Sequence, residues 1–299
     1  MNKTLKSSLL FLSIVLVFIA VFIFPSIALP ISDQLLKMMK PDEMKFFFPL
    51  LLLLAFYISF SYWLLIQHTN QNKTFLFLKL SLANFILYPL MGFSELLFWS
   101  NAFKGIETIE FIKIFYRFVL TFVLFSSYLA IISKRTTSSA DQRKTSKSFK
   151  QIMIKILLLS VIYFMIYNLF GYFVAWQFEA TRVFYSGSTE MKGFLSVMLQ
   201  NLSDLKFLFF QIFRGMLFGI AGYIFYSFLN CSRNKSLLIM ALIFGGFGFQ
   251  IILPNPLFPE MVRISHFIET TSSMLVFGAI AAYIFSRKKI GIAGKKIQV

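Results

Sequence analysis

Eight separate apolar runs, each of about twenty residues, leave this chain few ways to fold. They fall at 8–30, 46–67, 75–99, 111–133, 153–176, 206–229, 236–254 and 263–286. A helix of that length crosses a hydrocarbon layer about 30 Å thick. With 58% of its residues hydrophobic and 14% charged, the chain has more apolar surface than one water-soluble core can hide. The expectation is therefore an all-α integral membrane protein of eight transmembrane helices, forming a single polytopic domain with the lipid bilayer as its first partner. The first run follows "MNKTLK", which resembles the start of a signal peptide. Its apolar part is too long and no A-x-A cleavage site follows, so it reads as a retained helix.

Charge placement predicts orientation. With the N-terminus inside, the inner segments carry 17 basic residues against one acid, Asp141, while the outer segments balance nine of each. That asymmetry is the positive-inside pattern, and eight crossings return the C-terminus to the same side. The formal charge of +17 is then a product of topology and points to no nucleic-acid partner. The expected location is a cytoplasmic (inner) membrane with both termini cytoplasmic. The basic, Ser/Thr-rich stretch 134–151 reads as a cytoplasmic linker. The long outer segment 177–205 places Met191, Phe194, Leu195, Met198, Leu202 and Leu205 at helical spacing, so its second half should lie as an interfacial helix, a potential lid.

Charges inside the spans are costly, roughly 2.5–3.5 kcal/mol each on insertion scales, and they mark either structural pairs or functional sites. Glu95, Arg117, Arg214, His266 and Glu269 all fall in the outer halves of their helices. Four polar stripes accompany them at helical spacing: Ser81, Asn84, Tyr88 and Glu95, with a phase shift expected at Pro89; Lys113, Arg117, Thr121 and Tyr128; Gln211, Arg214, Gly215, Phe218, Gly219 and Gly222; and His266, Glu269, Thr270 and Ser273. The expectation is one shared polar interior, in which Arg214 pairs with Glu269 or Glu95 and Arg117 takes the remaining acid. Gly215 and Gly219 should let a neighbouring helix approach closely, and "FGGFGF" at 244–249 should do the same.

Catalytic signatures are absent. The chain has no H-E-x-x-H, no G-x-S-x-G, no phosphate loop and no aspartate within a span. One cysteine and two histidines are too few for a disulfide framework or a structural metal site, and no cofactor is called for. His266 and Glu269, one turn apart, are the only acid–base candidates. Three readings remain. The leading one is binding or translocation of a small polar or anionic solute, or of a lipid headgroup, at an outward-facing site made by Glu95, Arg117, Gln211, Arg214, His266 and Glu269. The second is a membrane enzyme acting on a lipid-linked or outer-face substrate through His266 and Glu269. The third is a non-catalytic assembly or signalling role with a membrane protein partner.

Overall fold

The structure, a computed structural model, describes residues 3–69, 71–103, 105–133 and 148–287. It is an all-α multi-pass membrane protein, with eight helices among the described residues long and apolar enough to cross a membrane. Most of the 134–151 stretch lies outside the described residues. The spans are α1 (Lys3–Ala28), α4 (Phe47–Gln67), the third span made of α5 (Lys73–Phe85) and α6 (Met91–Phe98), α7 (Thr108–Ile132), α8 (Phe149–Phe173), α11 (Leu205–Ser227), α12 (Arg233–Phe249) and α13 (Glu260–Ser286). Short helices fill the connections at one end of the bundle, here called the site end: α2 (Asp33–Met38), α3 (Pro41–Met44), α9 (Glu179–Ser186) and α10 (Phe194–Ser203).

Local chemistry starts these elements. Ser32 Oγ accepts the amide of Leu35 to open α2, Asn72 Oδ1 that of Thr74 to open α5, and Asp204 Oδ1 that of Phe207 to open α11. Pro41 occupies the first turn of α3, where its missing N–H costs nothing. Gly187, with φ of 71°, ends α9 in the left-handed conformation.

Pro89 cannot donate to the carbonyl four residues back, and the third span answers with a π-helical turn over Ile86–Leu90. That turn separates two faces. Before it, Asn84 accepts from the Tyr62 hydroxyl and donates to Ser126 Oγ at 3.0 Å, so it faces α4 and α7. After it, Glu95 faces α11. The stripe read from the sequence as one face thus serves two different neighbours.

Small residues set the closest helix pairs. A Cβ at Gly215 would stand 2.7 Å from the Ser160 backbone, so only glycine lets α11 sit this near α8. Gly248 does the same for α12, where a Cβ would meet the Thr271 backbone of α13. The "FGGFGF" run is therefore a packing surface. Tyr57 and Tyr88 also pin it, donating to the carbonyls of Leu242 at 3.0 Å and Ile243 at 3.3 Å.

Three members of the α7 stripe, Arg117, Thr121 and Tyr128, reach α1 and its C-terminal end. Tyr128 donates to Ser13 Oγ at 2.8 Å, Thr121 to the Val21 carbonyl at 3.1 Å, and Arg117 to the Leu29 carbonyl. These three side chains fasten α1, the most peripheral span, to the bundle. At the opposite end Lys73 and Lys155 donate to the carbonyls of Ile131 at 2.6 Å and Arg287 at 2.7 Å, where α7 and α13 finish. A cation at a helix C-terminus is favoured by the aligned peptide dipoles.

Candidate functional site

Two hollows meet at Glu95 near the site end. The larger has a volume of about 500 Å³ and is bounded by α1, α3, α6, α7, α9, α13 and the turn 253–258. Its wall is mostly apolar, including Phe93, Phe115, Phe118 and Leu257, and its polar members include Glu95, Arg117, Gln250, His266 and Thr270. The smaller, about 20 Å³, is closed in by Glu95, Tyr163, Tyr167, Arg214, Glu269, Thr270 and Ser273 among others.

Arg214 is buried on α11, with its face-mates Gln211, Gly215, Phe218, Gly219 and Gly222 buried beside it. Its Nη2 meets Glu95 Oε2 at 3.1 Å and its Nη1 donates to Gln211 Oε1 at 3.3 Å. Glu95, rather than Glu269, is therefore the ion-pair partner. The pair is lopsided: the Arg214 side chain is 3% exposed and that of Glu95 39%, because the carboxylate also looks into the larger cavity. Three rings, Tyr163, Phe210 and Phe218, stand within 5.5–5.9 Å of the guanidinium and shield it from lipid.

Glu269 is buried and accepts from the Thr270 hydroxyl at 2.9 Å. The His266 Nδ1 stands 4.0 Å from its carboxylate, while the imidazole lines the larger cavity. The Tyr185 and Phe258 rings flank that imidazole, each with centroids 5.5 Å away.

The expected pairing of Arg117 with a carboxylate is not what the structure holds. Its guanidinium is spent on the Leu29 carbonyl, an acceptor at the C-terminal end of α1 that the sequence gives no reason to place there. Arg117 still forms part of the cavity wall. Gln211, Arg214 and Glu95 come together as a unit; His266 and Glu269 form a second unit beside it.

Three features escape the sequence reading. Glu43 of α3 pairs with Arg263 of α13 at 2.7 Å, both side chains largely buried, which straps the connection 29–46 across the cavity mouth. Ser32 reinforces the strap by donating its amide to Glu110 Oε2 at 3.3 Å. Third, α9, in the first half of the 177–205 segment, covers the site. Thr181 of α9 shares a 2.6 Å hydrogen bond with Ser265, and Tyr185 enters the cavity wall. The spacing of Thr181, Phe184 and Tyr185, at i, i+3 and i+4, is the signal that could have found it. Helix α10 does form, with Leu195, Leu199 and Leu202 exposed. Burial pushes the Tyr185 hydroxyl well above its ordinary range, so it stays protonated at neutral pH.

Among the described residues no group of three His, Cys, Asp or Glu side chains stands close enough to hold a metal ion. Compared with protein-family models, with curated proteins and with solved structures, the chain matches none.

Proposed function

We propose that this chain binds an amphiphilic molecule inside the bilayer and presents or passes its polar head at the site end. The observation that carries the reading is the cavity of about 500 Å³, greasy on most of its wall and polar at Glu95, Arg117, Gln250, His266 and Thr270. That volume is in the range of small-molecule sites, and a wall of mixed character suits a chain with a head better than a small fully hydrated solute. Arg214 supports the same choice. It is engaged by Glu95 and Gln211 and sits behind the carboxylate, so it holds the site in place instead of offering free charge to a solute. In this reading the protein lies in the cytoplasmic membrane with both termini inside, the excess of inner bases fixing its orientation.

A lipid probe with a photoreactive group in its acyl chain tests the proposal on the full-length protein in liposomes. Crosslinks to Phe93, Phe115 or Phe118 in the cavity wall are expected; labelling confined to the outward faces of the spans would overturn the reading. Translocation is then separated from binding by following the loss of a fluorescent headgroup to an impermeant quencher.

The approach of His266 to Glu269 supports one second reading, that the bound amphiphile is also chemically altered there. A carboxylate beside an imidazole can orient it as a general base. His266→Ala leaving the fate of every bound amphiphile unchanged would remove this reading while leaving the first intact.

A further inference from the structure

The head that this cavity takes is fixed by what faces it at Glu95. Glu95 lies on α6 and Trp99, four residues on, caps the C-terminal end of that helix; both line the cavity. The Trp99 ring meets that of Tyr185 edge-on at 5.6 Å, Tyr185 continues to His266, and Phe258 closes on His266 and on Phe103, the last contact at 5.4 Å. All these rings belong to the cavity wall. A carboxylate with one oxygen held by Arg214 and the group as a whole 39% exposed thus opens among aromatic rings, and among the described residues it is the one acidic side chain of that wall. The basic side chain of the wall, Arg117, already donates twice to a backbone carbonyl.

We infer that the Glu95, Trp99 and Tyr185 corner of the cavity binds an ammonium group, so that the amphiphile carries a cationic or zwitterionic amine head. Aromatic faces attract a desolvated cation through their quadrupoles, and quaternary ammonium groups are recognised in this way. A carboxylate adds the opposite charge in a medium of low dielectric, where it counts for more than in water. Arg214 is the positioning residue: its Nη2, 3.1 Å from Glu95 Oε2, fixes the orientation of the carboxylate. The inference rests on the amphiphile reading above and adds the chemistry of the head.

Native mass spectrometry of the full-length protein released from detergent micelles provides the test, with four probes. Three share a twelve-carbon chain and carry a trimethylammonium, a phosphate or a maltose head; the fourth is choline, which has no chain. The trimethylammonium probe should be retained in a saturable one-to-one complex, roughly tenfold more tightly than the other two chain-bearing probes. Glu95→Gln should abolish that preference. Trp99→Leu and Tyr185→Leu should each weaken it roughly threefold while sparing retention of the maltoside, which keeps the test open should the Glu95 variant not fold. Equal retention of the three heads, or a preference that survives the ring substitutions, would overturn the ammonium inference alone. Retention of none of the chain-bearing probes would remove the amphiphile reading and this inference with it. Choline held as tightly as the trimethylammonium probe would support the ammonium site and overturn the need for a chain.

Discussion

At the scale of the residue, the Arg214 and Glu95 pair makes an asymmetric prediction. Removing one member of a buried pair strands the other, and the cost depends on how well the survivor can be hydrated. Arg214, 3% exposed, has nowhere to turn; Glu95, 39% exposed, has the cavity. Glu95→Leu should therefore destabilise by about 3 kcal/mol, Arg214→Leu by less, and the double variant by less than Glu95→Leu alone. Chemical denaturation of the four proteins in micelles measures this, and equal single costs would contradict it. The residues of this pair were legible in the sequence, because an intramembrane charge is conspicuous and both lie at one depth. The choice between Glu95 and Glu269 was not, since it depends on how far the π turn rotates α6. Nor was the partner of Arg117, a backbone carbonyl, which any residue could supply.

At the scale of the element, glycines decide which helices touch. Gly248 leaves no room for a Cβ against the Thr271 backbone, whereas nothing lies within 4 Å of the corresponding point at Gly171. Gly248→Ala should force α12 and α13 apart and cost about 1–3 kcal/mol, with Gly171→Ala neutral or slightly stabilising. Thermal unfolding of the two variants side by side provides the comparison. The tethers of α1 make a second prediction at this scale. Arg117→Leu removes the bonds to Leu29 and should raise amide exchange across 26–39, while Tyr128→Phe, at the far end of the same helix pair, should leave that stretch protected. Helix spans are the most readable elements here, because lipid demands length and apolar composition from each. Short connecting helices such as α9 are set by what they pack upon, and their role emerges only when Ser265 and His266 are in place beneath them.

At the scale of the whole molecule, the site end and the basic end should face opposite compartments. In a Cys231→Ser background, Ser188→Cys beyond α9 should react with an impermeant maleimide added to intact cells, and Asn234→Cys at the start of α12 only after the cells are opened. The reverse pattern would invert the orientation drawn from the charge count. Overall architecture was the most legible level of all, since eight apolar runs admit little else. The cavity was hidden, because a hollow is made by residues from many helices and by a strap held with one ion pair, Glu43 to Arg263. The π turn at Ile86–Leu90 carries a last consequence, for how the gene can change in length. Such a turn stores one surplus residue within an otherwise regular helix. Deleting the Pro89 codon should therefore tighten the turn into plain α-helix and leave Glu95 on Arg214. A one-codon deletion between Met91 and Ser94 should swing Glu95 by about 100° off its partner. The third span thus tolerates a shorter reading frame at one place and not a few residues beyond it, and a set of single-codon deletions, scored by folded yield, would map where that tolerance ends.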